Sequence, residues 1–209
     1  MARVLVSFPT LGGSVKALTA ASLCNLDWGG DEVVYEPVVG CYVDEARRRM
    51  AESAIQGKFD YLLMVDSDVV LPSDALVMLR EDDVNAVFGW YVRGSSDDGL
   101  TNVVKLGSQG YYDSYYAHEL AKMAEDHAGG KSGSPLLEAK GDGMGCALVR
   151  VDVFDRIGKP WFKFVEFPDG KRLSEDYYFC RKCHEAGLKI YVDTRVGCSH
   201  IHDRVLEPR

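Results

Sequence analysis

Every side chain in the run Tyr61–Val65 (YLLMV) is apolar, and an aspartate flanks the run on each side. A strand that is apolar at every position buries both of its faces, as strands do in a parallel sheet covered by helices. Five residues are far too few for a membrane-spanning helix, which needs about 20. The run therefore predicts a layered α/β fold in which this strand is central in the sheet.

The rest of the chain alternates between strand-like and helix-like patterns. Short apolar runs rich in β-branched residues predict strands, and apolar residues at a spacing of four behind capping residues predict helices. Strands are predicted at residues 3–8, 32–39, 61–65, 85–92, 146–151 and 189–192. Helices are predicted at residues 14–25, 44–56, 72–80, 118–127, 152–157 and 175–186. Between residues 94 and 140 the periodicity is weak, and apart from the helix an irregular segment is expected there.

Composition excludes several classes of protein. The 209 residues, 46% of them hydrophobic, suit one folded domain and not a disordered chain. The apolar run Val4–Phe8 is shorter than the core of a secretion signal, so we expect the chain to begin where it is written, with reduced cysteines in the cytoplasm. The 24 basic and 32 acidic residues give a net charge of −8, which does not favour broad electrostatic capture of nucleic acid.

The sharpest local motif is Asp66-Ser67-Asp68, directly after the apolar strand. Ligands of open α/β sheets bind beyond the carboxyl ends of the strands. Residues two apart in an extended chain point to the same side, so both carboxylates can face one divalent cation or a phosphate group bound to it. The motif therefore predicts a site for Mg²⁺ or Mn²⁺ together with a diphosphate.

Three further motifs carry ionisable side chains. Glu175 and Asp176 fall in the first turn of a predicted helix, where the helix dipole keeps a carboxylate ionised and ready to accept a proton. His200 and His202 follow the last predicted strand and alternate onto one face, as ligands for Mn²⁺ or Zn²⁺. Arg47 begins a run of three arginines in an acidic chain, and it is a candidate to reach donor phosphates or the base.

The cysteines leave a zinc site open as an alternative. Cys180-x-x-Cys183, followed by Cys198, His200 and His202, has the ligand types of such a site. There is only one Cys-x-x-Cys pair, however, and it lies in a helical pattern where free cysteine is usually a small core residue.

Several segments occur in a fixed order along nearly the whole chain. They are Pro9-Thr10 after the first strand, Ala46-Arg47 on a helix, Asp66-Ser67-Asp68 after DYLLMV, GWYVR, GDGMGCALVRVDVFDRIGKPWF, SEDYYFCRKCHEAGLKIYVD and a late His200. Taken together, they resemble the GT-A glycosyltransferases, most of all the small single-domain, family-2-like enzymes of phages, viruses and bacteria.

That resemblance implies a GT-A fold, with a mixed, mostly parallel sheet flanked by helices, and one catalytic domain over residues 1–209. Residues 1–93 would bind the nucleotide-sugar, residues 94–140 would lie on the acceptor side, and residues 141–209 would form the acceptor and catalytic half. The implied enzyme is a metal-dependent, hexosyltransferase-like transferase in the cytoplasm, or in the host cytoplasm if the protein is viral. It would move a sugar from a nucleotide-diphospho-sugar, with uridine expected as the nucleoside, to an acceptor hydroxyl.

The resemblance also implies roles for residues. The metal ligands would be Asp66, Asp68 and His200, with His202 as the alternative histidine. The donor would be held by Pro9, Thr10, Arg47, Asp66, Ser67 and Gly143. Asp176 would be the general base, with Glu175 as its rival. Apart from the resemblance, aromatic rings pack on apolar sugar or base faces, so residues 111–116, Trp90, Trp161 and Phe162 are candidates for an acceptor platform, with core packing as the favoured alternative for each one singly.

Two other functions share parts of this pattern. A nucleotidyltransferase that makes nucleotide-sugars would also use metal-bound acids on an α/β sheet, but the Pro9-Thr10-Leu11-Gly12-Gly13 loop poorly matches its basic phosphate loop. A zinc-stabilised binding module without catalytic activity is the second alternative. The acceptor stays open between a glycan, a protein, a small molecule and a modified nucleobase, and so does the choice between inversion and retention of the anomeric centre.

Overall fold

The computed structural model describes residues 1–94, 99–106, 112–131 and 134–202. Its strands are β1 (Arg3–Thr10), β2 (Glu32–Val39), β3 (Tyr61–Val65), β4 (Val69–Val70), β5 (Ala86–Trp90), β6 (Leu100–Leu106), β7 (Tyr112–Tyr116), β8 (Leu136–Ala139), β9 (Cys146–Arg150), β10 (Val165–Glu166), β11 (Arg172–Leu173), β12 (Ile190–Gly197) and β13 (Ser199–His200). Its helices are α1 (Ala17–Cys24), α2 (Val43–Gln56), α3 (Ala75–Glu81), α4 (Ala117–Ala128), α5 (Asp152–Ile157) and α6 (Glu175–Glu185).

Seven of these strands form one sheet in the order β2-β1-β3-β9-β5-β12-β8. Strands β2, β1, β3, β5 and β12 run in one direction, whereas β9 and β8 run in the opposite direction. The predicted mixed, mostly parallel sheet flanked by helices is confirmed. The apolar strand β3 lies in the interior between β1 and β9, as its sequence predicts.

The alternation of side chains in β3 accounts for two separate cores. Leu62 and Met64 face a core formed with α2, α5 and α6, while Leu63 and Val65 face a second core formed with α1 and α3. All five residues of β3 are buried, because helices cover both faces of the sheet. No helix among the described residues has the length and apolar character needed to cross a bilayer.

The segment 94–140 is more regular than its sequence indicates. Its described part contains the antiparallel β6–β7 hairpin, the helix α4 and the edge strand β8. In β6, residues 101–104 are all buried, so no polar alternation marks the strand. Residues 95–98, 107–111 and 132–133, including Tyr111 of the expected aromatic platform, lie outside the described residues.

Two of the aromatic candidates for the platform are core residues, as the favoured alternative predicts. Trp161 and Phe162 are buried in the core beside α5 and α6, where both pack against Phe154. Because their rings are buried, they cannot offer a platform to an acceptor. Two boundaries also differ, since α1 begins at Ala17 and not near Ser14, and β12 continues to Gly197.

Candidate active site at one edge of the sheet

The predicted site residues come from distant segments of the chain and meet at one edge of the sheet. The parallel strands β1, β3, β5 and β12 end there, and β9 begins there because it runs in the opposite direction. The Asp66 amide donates to the Gly145 carbonyl (3.1 Å), and the Gly145 amide donates to the Tyr91 hydroxyl (3.2 Å). The Tyr91 ring meets the His200 ring edge-on, with 5.0 Å between centroids. These contacts join β3, β5, β9 and the end of β12 into one surface.

Asp68 and His200 form the first chemical element of the site. The short strands β4 and β13 pair with each other, and the Ile201 amide donates to the Asp68 carbonyl (2.8 Å). This pairing brings the His200 Nε2 atom to 3.5 Å from the Asp68 Oδ2 atom. The His200 Nδ1 atom lies 3.2 Å from the carbonyl oxygen of Val92, and a carbonyl only accepts, so Nδ1 carries a proton. The Nε2 atom therefore faces the carboxylate.

Asp68 and His200 shift each other's pKa. The hydrogen bond between them raises the pKa of His200 and lowers the pKa of Asp68. His202, the alternative ligand, is exposed, and its ring centroid lies 4.1 Å from that of His200. Within the described ranges, no three His, Cys, Asp or Glu side chains gather as a complete metal shell. Of the predicted metal ligands, Asp68 and His200 are thus the two that the structure brings into direct contact.

Arg47 is the second element, and it is buried. Only 2% of its side chain is exposed, and its guanidinium donates to Asp66 Oδ1 (2.9 Å), to Glu175 Oε1 (3.0 Å) and to the Met144 carbonyl (3.2 Å). Arg47 therefore links Asp66, at the end of β3, to Glu175, at the start of α6. Its neighbours Arg48 and Arg49 instead pair with glutamates on the surface of α2.

The first turn of α6 supplies the third element. Glu175 is nearly buried and bound to Arg47, and desolvation by burial raises its pKa. Asp176 is half-buried, and its Oδ1 accepts hydrogen bonds from the Ser174 hydroxyl and from the Tyr177 amide. Its Oδ2 faces Gly143, since a Cβ built on that glycine would lie 3.5 Å from it. Of the two candidates for the general base, Asp176 therefore has the carboxylate that is more available to a ligand.

The Gly141–Gly145 segment is glycine-rich because aromatic side chains of the protein crowd against it. A Cβ on Gly143 would lie 2.6 Å from the Tyr91 hydroxyl, and one on Gly145 would lie 2.7 Å from the Tyr91 ring. At Gly141 a Cβ would lie 2.6 Å from the Tyr177 ring. Such separations are too short for carbon atoms in contact, so close internal packing requires glycine at these positions.

One buried acid at the site was not among the sequence candidates. Asp142 is fully buried, its Oδ1 accepts from the Asn102 amide, and its Oδ2 has no hydrogen-bond partner among the described residues. Desolvation by burial raises the pKa of Asp142 well above its ordinary value. An aspartate between two glycines just before a buried strand is the only sequence signal that indicates it.

The remaining predicted donor residues also lie at this edge. Pro9 and Thr10 end β1, and the buried Thr10 hydroxyl has no hydrogen-bond partner in the described part of the chain. Ser67 lies between the two aspartates, and its carbonyl accepts from the Lys16 amide (3.0 Å).

The cysteines of the zinc alternative do not gather. Cys180 and Cys183 are buried in the core beneath α6, and burial raises the pKa of both thiols. Cys198 packs against the other core, on the opposite face of the sheet. The sulfur and imidazole atoms are therefore not arranged as one zinc site, and the helical pattern around Cys180 correctly predicts core residues.

Comparison with known proteins supports the fold assignment. Neither a protein-family profile nor a curated protein sequence matches the chain. Among solved structures, A197 from STIV superposes with a TM-score of 0.64 at 18% identity, over 96% of this chain and 86% of that chain. A structure of GalNAc-T7 with UDP, GalNAc and Mn²⁺ superposes with a TM-score of 0.59 at 11% identity, over 95% of this chain. The chain spans 44% of that GalNAc-T7 chain. The fold therefore has GT-A glycosyltransferase neighbours.

Proposed function

We propose that this protein is a metal-dependent glycosyltransferase, which moves a sugar from a nucleotide-diphospho-sugar to an acceptor hydroxyl. The observation that carries the proposal is the meeting of two elements at one sheet edge. The Asp68–His200 pair, 3.5 Å apart, lies on one side, and the Asp176 carboxylate lies beside Gly143 on the other. A ligand pair for a cation and a separate base are the two parts that sugar transfer from a diphosphate requires.

The ligand pair fits Mn²⁺ or Mg²⁺. Such ions are held by one or two carboxylates, with substrate phosphates and water completing the shell, so a two-ligand protein set suffices. The bond from His200 Nδ1 to a backbone carbonyl is the usual support that orients a histidine ligand. When bound, the ion offsets the charge that develops on the departing diphosphate. His202, whose ring centroid lies 4.1 Å from that of His200, is a candidate for a further ligand, and the Asp66 carboxylate is bound to Arg47.

Asp176 acts as the general base. In the reaction the acceptor oxygen bonds to the anomeric carbon, the bond from that carbon to the diphosphate oxygen breaks, and the proton of the acceptor hydroxyl passes to Asp176. The nucleoside diphosphate leaves with the electron pair of the broken bond. Hydrogen bonds from Ser174 and Tyr177 hold one carboxylate oxygen of Asp176 and leave the other for the hydroxyl.

Residues 1–209 act as one catalytic domain in this proposal. The donor lies along the ends of β1 and β3, against Pro9, Thr10 and Ser67, in the half formed by residues 1–93. Arg47 positions Asp66 and Glu175 from behind, because its guanidinium is already occupied by protein acceptors. A uridine nucleotide is the donor proposed, since the GalNAc-T7 neighbour was solved with UDP and Mn²⁺.

A thermal-shift experiment tests the proposal. UDP, GDP, ADP and CDP are each added with Mn²⁺, with Mg²⁺ or with EDTA to the wild type and to Asp68→Ala, His200→Ala and Asp74→Ala. Asp74 is an exposed aspartate before α3 and serves as the matched control. Ligands that bind only the folded state raise Tm, by about 2.7 kcal/mol of stability at 100 times Kd. We expect a Mn²⁺-dependent shift with UDP in the wild type and Asp74→Ala, and its loss in Asp68→Ala.

A shift that is equal in EDTA and in Asp68→Ala would contradict the proposal. Product analysis separates the rival chemistry, because a transferase releases UDP from a UDP-sugar, whereas a nucleotidyltransferase with added pyrophosphate forms UTP and a sugar phosphate.

A further inference from the structure

A groove of about 950 Å³ opens beside the first turn of α6. Its walls come from the β6–β7 hairpin, the β10–β11 hairpin and α6 itself. Tyr177, the residue after Asp176, lies in the lining, and its hydroxyl donates to the Asn102 carbonyl at 2.7 Å. The groove therefore adjoins the proposed base.

The groove is basic although the chain is acidic. Its described lining contains one acid, Asp113, and six basic residues, which are Arg93, Lys105, Lys140, Lys171, Arg172 and Arg181. The whole chain carries a net charge of −8, so this concentration of positive charge is local. The acids that pair with these side chains lie outside the lining, for example Glu119 with Lys105 and Glu185 with Arg181. Exposed pairs of this kind contribute only about 0–1 kcal/mol, so an anionic ligand can compete for the cations.

Two arginines have donors available to a ligand. Arg93 is exposed and makes no ion pair with any described residue. It is the residue after Val92, whose carbonyl orients His200. The Nε atom of Arg181 lies 3.4 Å from Glu185 Oε1, and 40% of the Arg181 side chain is exposed. An exposed guanidinium at the wall of a groove is suited to bind a phosphate or carboxylate oxygen.

The same groove has apolar walls of the right kind for a sugar. Tyr116 and Phe167 line the groove with 43% and 37% of their surface exposed. Leu173, the last residue of β11, also lines it, just before α6 begins. Aromatic faces pack against the apolar faces of sugar rings. A volume of 950 Å³ is at the upper end of small-ligand sites, about 300–1,000 Å³, and holds a short saccharide.

We infer that this groove binds the acceptor, and that the acceptor is an anionic saccharide with a phosphate or carboxylate close to the hydroxyl that receives the sugar. The inference rests on the proposed function. Arg93 and Arg181 bind the anionic group, the aromatic walls hold the ring, and the hydroxyl faces Asp176. Nucleic acid is disfavoured because the basic side chains line one bounded groove in a chain of net charge −8, not an extended positive face.

Binding measurements on matched pairs of probes test this inference. The first pair is the galacturonate hexamer and its methyl ester, which share a backbone and differ in charge. The second is mannose 6-phosphate and mannose, and a single-stranded oligodeoxynucleotide of twelve thymidines is the third probe. Affinities are measured at 50 and 300 mM NaCl for the wild type, Arg93→Gln, Arg181→Gln and Lys163→Gln. Lys163 is exposed and outside the groove lining, so its variant removes one positive charge as a control.

We expect a charged saccharide to bind at least about 5-fold more tightly than its neutral counterpart at 50 mM salt, with a smaller ratio at 300 mM because salt screens exposed charges. Either arginine variant should reduce this ratio severalfold, and Lys163→Gln should not. Whichever pair shows the larger ratio identifies carboxylate or phosphate as the group bound. Equal affinities within both pairs, an advantage that survives both arginine substitutions, or tighter binding of the oligonucleotide would each overturn the inference. The UDP-dependent shift is measured in the same variants, and its retention separates failure of this inference from failure of the transferase proposal.

Discussion

Arg47 and Glu175 are 128 positions apart in the chain, and the Arg47 Nε atom donates to Glu175 Oε1 over 3.0 Å inside the protein. The contact joins α2 to the first turn of α6. Because the same guanidinium also holds Asp66, it fixes the distance between the end of β3 and the start of α6. The two halves of the candidate site are therefore positioned by one buried cation.

Removing that cation should destabilise the protein strongly. Arg47→Met leaves Asp66 and Glu175 facing each other without a counter-charge, and breaking a buried ion pair in this way costs about 3–5 kcal/mol. Arg49→Met, on the exposed surface of the same helix, should change stability by less than about 0.5 kcal/mol. Urea denaturation of both variants measures the difference. Equal costs for the two substitutions would show that Arg47 does not have this role.

The two adjacent acids of α6 should respond differently to substitution. Asp176→Asn removes the proposed base and should reduce turnover about 10²–10⁴-fold while the UDP-dependent thermal shift stays unchanged. Glu175→Gln should lower stability more than Asp176→Asn, because only Glu175 is bound to Arg47. Release of UDP is measured from the UDP-sugar that the wild type converts fastest. Asp74→Asn, at an exposed position before α3, is the control, and a loss of turnover there would mean that the effect is not specific to the site.

The close packing at Gly143 allows a test by rescue. A Cβ at Gly143 would lie 2.6 Å from the Tyr91 hydroxyl, so Gly143→Ala should destabilise the protein by about 1–3 kcal/mol, as overpacking does. Tyr91→Phe removes the oxygen that collides, and the double variant should recover part of that loss. Thermal and urea unfolding of both single variants and the double variant give the coupling energy. At Gly12 a Cβ meets no heavy atom within 4 Å, so Gly12→Ala is the control. Strict additivity would argue against the contact.

Local patterns were sufficient to predict most of the central sheet. The apolar run at Tyr61–Val65 and the strand–helix alternation around it indicate both the fold class and the sheet edge where the candidate site residues meet, because these depend on periodicity alone. The partner of Arg47 was not predictable in this way. Its neighbours Arg48 and Arg49 have the same charge and adjacent positions, and only the packing of α2 against the sheet buries the first of the three.

The basic groove could not be predicted from the sequence, for a related reason. Its cations come from segments far apart in sequence, from Arg93 to Arg181, and several of them pair with an acid a few positions away, as Arg181 does with Glu185. The net charge of −8 for the whole chain therefore does not indicate this local excess of basic residues. The β6–β7 hairpin that brings them together has buried residues at consecutive positions, so neither the strand nor its contribution to the groove could be predicted from alternation.

A buried acid pair far from the candidate site should make stability depend on pH. Asp82, at the end of α3, lies beside Asp193 and Arg195 of β12, and its Oδ2 has no partner among the described residues. Desolvation by burial, together with the charge of Asp193, raises the pKa of Asp82 from its ordinary 3.8 to about 7. Between these values the folded state keeps a proton that the unfolded chain has released. The free energy of unfolding should therefore fall as pH rises from about 4 to 7.

Substitution removes this dependence. Asp82→Asn cannot ionise, so its stability should exceed that of the wild type by more at pH 8 than at pH 4.5. Asp74→Asn, at an exposed position, should follow the wild type at every pH. Urea denaturation at half-unit steps from pH 4.5 to 8 measures the three curves. Parallel curves for the wild type and Asp82→Asn would mean that Asp82 is ionised in the folded protein at pH 4.5, with Arg195 neutralising both acids.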